Sequence, residues 1–174
     1  MRNHFELFGL EPAFALDAQL LERAYREIQA QVHPDRHASA GDADRRAAMQ
    51  WTTRANEAYR TLKDPLARAK YLLELNGVDV GFETNTAMPG EFLVQQMELR
   101  ESLEEAAAKK DAAALDALRA ELAVLRRGIE ADVGALIDRE HDYAGASGLV
   151  RKLKFLERLE DEIDAMHDEI EAGA

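Results

Sequence analysis

The chain has 174 residues, and 22 Lys and Arg stand against 34 Asp and Glu, giving a net charge of −12 at pH 7. That acid excess argues against general nucleic-acid binding, which needs cations to meet phosphates; the absence of cysteine excludes disulfides, thiol nucleophiles, thiolate zinc sites and self-ligated iron–sulfur clusters. No apolar run approaches the ~18 residues of a membrane span, and the opening Met1 to Glu6 lacks a signal-peptide core while Glu6 and Glu11 speak against a transit peptide, so a cytoplasmic protein is expected.

Gly and Pro are sparse, and the stretches between them carry helical period with no convincing period-2 strand, so the expected class is all-α. A short helix is expected over His4 to Leu10, anchored by Phe5 and Phe8. Asp17 reads as the N-cap of a second helix with Leu21, Tyr25, Ile28 and Val32 on one face. Pro34 ends it, because the residue before proline is pushed out of the α region. A polar loop, His33 to Gly41, leads to a third helix from Asp42 or Asp44, with Ala48, Thr52, Ala55, Tyr59 and Leu62 on its core face. Those small residues predict a close approach of helices two and three. Pro65 suits the first turn of a fourth helix carrying Leu66, Ala69, Leu72 and Leu73, and Gly77 suits its end.

Residues 78–90 have no helical stripe and read as a linker between a domain at 1–77 and another at 91–174. Three amphipathic helices are expected beyond it. One runs from Glu91 to Lys110. The next, Ala112 to Ile137, has Leu115, Leu118, Leu122, Leu125, Ile129, Val133 and Leu136 in a near-heptad stripe. The last, Ala146 to Glu171, has Leu149, Leu153, Leu156, Leu159, Ile163, Met166 and Ile170. Joined by short turns, they predict an antiparallel three-helix bundle.

On the helix from Glu91, at ~100° per residue, Phe92, Leu99 and Leu103 fall together on the expected core face. Leu93, Val94 and Met97 fall largely away from it, in the sector of Glu98, Glu101 and Glu105. An apolar cluster opposite the core and bordered by acids marks a partner surface, unless this helix is buried on two sides. Phe155 lies at the edge of the last stripe, as core or rim. Trp51 packs on a neighbouring helix or at an interdomain seam.

His33-Pro34-Asp35 directly follows the second helix, whose exposed face carries Arg23 and Arg26, with Arg36 nearby. With Phe8-Gly9-Leu10, Ala24-Tyr25-Arg26, Asn56-Glu-Ala-Tyr59 and Leu62-Lys-Asp-Pro65, it resembles a J-domain. The resemblance implies that the His33–Asp35 loop, Arg36, Arg23, Arg26 and Tyr25 contact a DnaK-type chaperone and stimulate its ATPase. The chemistry is consistent: Asp35 offers a carboxylate for a charge-assisted pair, Pro34 stiffens the loop, and the arginines can steer onto an acidic surface. Gln29 and Gln31 stand where many J-domains carry lysines, which implies a narrower or weaker contact. Taken alone, the tripeptide could be a loop with a capping Asp. His33 and His37 could be a metal pair, but Pro34 breaks the helix that spacing would need.

The order of the J-domain, Arg68-Ala-Lys-Tyr-Leu-Leu73, Phe92-Leu-Val-Gln-Gln-Met-Glu-Leu-Arg-Glu-Ser-Leu103 and Val150-Arg-Lys-Leu-Lys-Phe-Leu156 is similar to the HscB family, the J-type co-chaperones of iron–sulfur cluster assembly. The resemblance covers nearly the whole chain. It implies that the C-terminal bundle binds the scaffold IscU through Leu93, Val94, Met97, Glu98, Glu101, Glu105 and Phe155. It also implies that the J-domain engages HscA, the specialised DnaK-type ATPase. The chain begins at the J-domain without a cysteine-rich module, as expected of the bacterial form. No cofactor, metal, membrane or nucleic acid is expected, and no catalysis of its own. The alternatives are a general J-protein for unfolded clients and a carboxylate metalloenzyme. The latter needs Glu-x-x-His pairs, and its one near match is Asp164 to His167.

Overall fold

The computed structural model describes residues 2–32, 41–82 and 90–172. It is all-α, with no strand among the described residues. None of the described helices is long and apolar enough to cross a membrane. The chain divides into two compact units, residues 1–76 and 77–174.

In the first unit, α1 (His4–Leu7) starts from a capping box: Asn3 Oδ1 accepts from Glu6 N at 2.8 Å and Glu6 Oε2 accepts from Asn3 N at 3.0 Å. It stops at Leu7, short of the expected Leu10, because Gly9 turns left-handed at φ +66°. Leu10 N then donates to Phe5 O and Gly9 N to Glu6 O, a Schellman closure that glycine makes cheap. The expected anchors Phe5 and Phe8 are buried. Asp17 caps α2 (Ala18–Val32) through bonds from Gln19 N and Leu20 N, as its position predicted.

The third helix, α3 (Asp42–Lys63), buries Ala55, Ala58 and Leu62. Asp64 accepts from Ala67 N at 2.6 Å and caps α4 (Pro65–Leu75), with Pro65 in the first turn. All four residues expected inside α4 are buried, and Gly77 follows its end at φ +75°. Helix α1 is tied to α4, since Tyr71 Oη accepts from His4 N at 3.0 Å and the two rings stack with centroids 4.2 Å apart.

In the second unit, the start of the expected linker is packed: Val80 is buried, and its carbonyl accepts from Arg151 Nη1 at 3.2 Å. Residues 83–89 lie outside the described part. Helix α5 (Gly90–Lys109) ends at Lys110, which takes a left-handed conformation, and Asp111 caps α6 (Ala112–Gly134). A π-helical turn (Ala135–Glu140) and left-handed His141 lead to α7 (Tyr143–Ala172), where Asp142 accepts from Gly145 N.

Cross-helix pairs fix the directions. Asp116 meets His167 at 3.1 Å, Arg119 meets Asp164, and Arg126 meets Glu160 at 2.9 Å, so α6 and α7 are antiparallel. Phe92 meets Phe155 and Arg100 meets Glu162, so α5 and α7 run the same way. The three helices form the expected up-down-up bundle.

Two details of the stripe differ from expectation. Helix α7 starts at Tyr143, three residues before Ala146, and its first core rungs are Ala146 and Val150, with Leu149 only half-buried. The π turn carries Ile137 rather than Leu136 into the core, four residues after Val133. Wider than an α turn, it keeps a four-residue step facing inward.

Candidate interaction surfaces

The first surface is built on α2. Helices α2 and α3 pack side by side, and the contacts across their seam run through Glu22, Tyr25 and Gln29 of α2 and Asn56 and Tyr59 of α3. Tyr25 and Tyr59 stack with centroids 4.1 Å apart and planes 14° apart. Tyr25 Oη donates to Asn56 Oδ1 at 2.9 Å and accepts from Gln29 Nε2 at 2.5 Å. Tyr25 therefore belongs to the helix seam, half-buried, whereas Arg23 and Arg26 are exposed.

Glu22 receives the Tyr59 hydroxyl and also pairs with Arg26 Nε at 2.9 Å. These bonds, the tyrosine's first, hold the Glu22 carboxyl below its ordinary value, and the same bond raises the Tyr59 hydroxyl. Gln29 is an internal brace of this seam and not an exposed stand-in for a lysine. His33, Pro34, Asp35 and Arg36, with His37 and the Val32 side chain, lie outside the described residues. Trp51 is 44% exposed, with the Arg54 guanidinium 5.9 Å from its ring centre.

The second surface lies on α5. Phe92, Leu99 and Leu103 face the bundle core, as the helical angles predict. Leu93, Val94 and Met97 point away from it, 45%, 56% and 63% exposed. The sequence had them outward, and outward they stand within their own unit. Glu98, Glu101 and Glu105 are exposed beside them, and Lys109 bonds Glu105, which lowers its carboxyl. Phe155 is half-buried at the rim, edge-on to Phe92 with centroids 5.7 Å apart.

Sequence reasoning assigned no role to the groups that hold this rim. Arg100 sits 5.9 Å from the centre of the Phe155 ring and Lys152 Nζ 4.9 Å from that of Phe92. The available signal was spacing, since Arg100 follows Leu93 and Met97 by seven and three residues. Of the metalloenzyme's near match, His167 pairs with Asp116 and Asp164 with Arg119. Among the described residues, no group of three His, Cys, Asp or Glu could hold a metal ion.

Two sequence models match the chain: the DnaJ domain over residues 3–71, and the HSCB C-terminal oligomerisation domain over residues 88–164. "Co-chaperone protein HscB homolog" of Burkholderia mallei (strain SAVP1) is 58% identical over 169 residues, 97% of this chain and 96% of that protein. Among solved structures, chaperone HscB from Vibrio cholerae is 40% identical with TM-score 0.84, covering 97% of this chain and 99% of that one. The human co-chaperone HscB is 27% identical with TM-score 0.89, covering 95% of this chain and 82% of that one. With an N-terminal DnaJ domain, a C-terminal HSCB domain and this degree of identity over nearly its whole length, the chain belongs to the HscB family of co-chaperones.

Proposed function

We propose that this co-chaperone is an adaptor in iron–sulfur cluster assembly: the bundle at 91–174 holds the scaffold IscU, and the J-domain at 1–77, joined through 78–90, presents it to HscA. His33, Pro34, Asp35 and Arg36, with Arg23 and Arg26, make the chaperone contact, and Tyr25 supports it from the helix seam. Leu93, Val94, Met97 and Phe155 supply the apolar contact with IscU, and Glu98, Glu101 and Glu105 its acidic border. ATP hydrolysis belongs to HscA; this chain accelerates it, and cluster transfer from IscU follows. The observation that carries the reading is the row of outward apolar side chains beside three carboxylates, on the same chain as a DnaJ domain. Folding of the bundle does not need that row.

Steady-state ATPase assays of HscA, with and without IscU, test it. IscU and this protein together stimulate more than the sum of each alone. His33→Gln abolishes stimulation and leaves IscU binding intact. Leu93→Ala with Met97→Ala weakens IscU binding tenfold or more, on the order of 1.4 kcal/mol. Equal stimulation of DnaK with no effect of IscU establishes instead a general J-protein for unfolded clients. Loss of both activities in a folded His33→Gln protein refutes separate sites.

A further inference from the structure

The outward face of α5 is not uniform. Helical spacing sorts it into two neighbouring rows, Leu93, Met97, Arg100 and Glu104 in one, and Val94, Glu98, Glu101 and Glu105 in the other. The second row is apolar at one end and acidic along the rest. The first lies toward α7 and carries a cation immediately after its two apolar residues. Arg100 bonds Glu162 of α7 through both terminal nitrogens, at 3.4 and 3.3 Å. Both side chains are open to water, 49% and 40% exposed. The guanidinium also overhangs Phe155, which Phe92 props from below. An ion pair this long and this exposed is weakly held. A carboxylate brought by a partner, in a site from which docking expels water, would meet the same fork on better terms.

We infer that Arg100 is a specificity residue of this surface: when IscU docks, Arg100 leaves Glu162 for a carboxylate on the scaffold, and the ring of Phe155 is uncovered into the contact. Glu162 is then an internal competitor, an anion that occupies Arg100 while the surface is empty. The partner surface that fits presents an apolar side chain flanked by cations on one side, to meet Glu98 and Glu101, and by a carboxylate on the other. This deepens the adaptor reading and rests on it.

The test is the affinity of IscU, by calorimetry at low and high salt, for the full-length protein and four variants. Arg100→Met keeps an unbranched stem over Phe155 and removes the charge; it weakens binding about tenfold at low salt, and less at high salt. Glu162→Gln frees the guanidinium and tightens binding about threefold, the scale of one exposed ion pair. In the Arg100→Met, Glu162→Gln double variant, the glutamine change adds nothing. Wild-type affinity for Arg100→Met, weaker binding by Glu162→Gln, or an undiminished Glu162 effect in the absence of Arg100 each overturns the inference. The Leu93→Ala, Met97→Ala protein separates the two levels. If it binds IscU as the wild type does, the adaptor reading falls; if it fails to bind while the Arg100 series is flat, only the role of Arg100 falls.

Discussion

The α2–α3 seam and the C-terminal bundle solve the same problem, joining helices side by side, with opposite materials. The seam uses aromatic and polar side chains: its precision comes from the Tyr25–Tyr59 stack and the bonds among Tyr25, Asn56 and Gln29. The bundle uses bulk: Leu99, Leu103, Leu115, Leu122, Leu156, Leu159 and Ile163 fill one continuous core. A hydrogen-bonded seam gains register from directional bonds; a leucine core gains stability from area. The element that displays Arg23 and Arg26 is therefore the geometrically pinned one, and the helix that displays Leu93 and Met97 rests on the thicker core.

Four substitutions sharpen that contrast. Leu156→Ala, at a fully buried bundle position, costs about 2–5 kcal/mol. Helical circular dichroism during urea unfolding shifts accordingly, while fluorescence of Trp51, the sole tryptophan and a residue of α3, shifts much less. Equal shifts of both signals would show a single cooperative unit. Ala58→Leu overfills the buried core of the first unit at a cost of about 1–3 kcal/mol, and here the Trp51 transition moves first. The smallest effect is on pH dependence. Glu22 is held below its ordinary 4.5, so its contribution is present above that value and fades as pH falls through the lowered one. Tyr59, raised from 10.0, contributes below that pH and loses its contribution as pH rises past it. Glu22→Gln therefore flattens both limbs of the urea midpoint against pH, and Tyr59→Phe does the same while leaving the part of the acid limb that Arg26 supplies.

The fold was legible where period and punctuation agree. Asp17, Pro65 and Gly77 mark helix boundaries by chemistry that needs no tertiary contact, and the structure places the boundaries there. The core of α5 and its outward cluster followed from helical angle alone, because one face of that helix has bulk in every turn. Legibility ended where tertiary contacts choose between equivalent readings. Nothing local says that Tyr25 and Gln29 bond Asn56 across the seam: the helical stripe put Tyr25 on the face of Leu21 and Ile28 without a partner, and Gln29 looked like a surface residue. Leu149 and Val150 are adjacent and equally apolar, and only the entry angle of α7, set by the Asp142 cap, selects Val150. Arg100 was missed because an arginine on an exposed face reads as solvation until its partner Glu162, distant in sequence, is brought beside it.

The wide turn at Ala135–Glu140 has a consequence for how this chain can vary in length. A heptad-like stripe ordinarily forbids insertions and deletions, because one residue more or fewer swings every later side chain off its rung. A π turn holds slack that an α turn does not, and it sits just ahead of the left-handed His141, where the chain is already about to reverse. Loss of one residue there would tighten the coil to α and leave the rungs before it untouched. The hairpin end of the bundle is thus its expansion joint, and the outward rows of α5 are upstream of it.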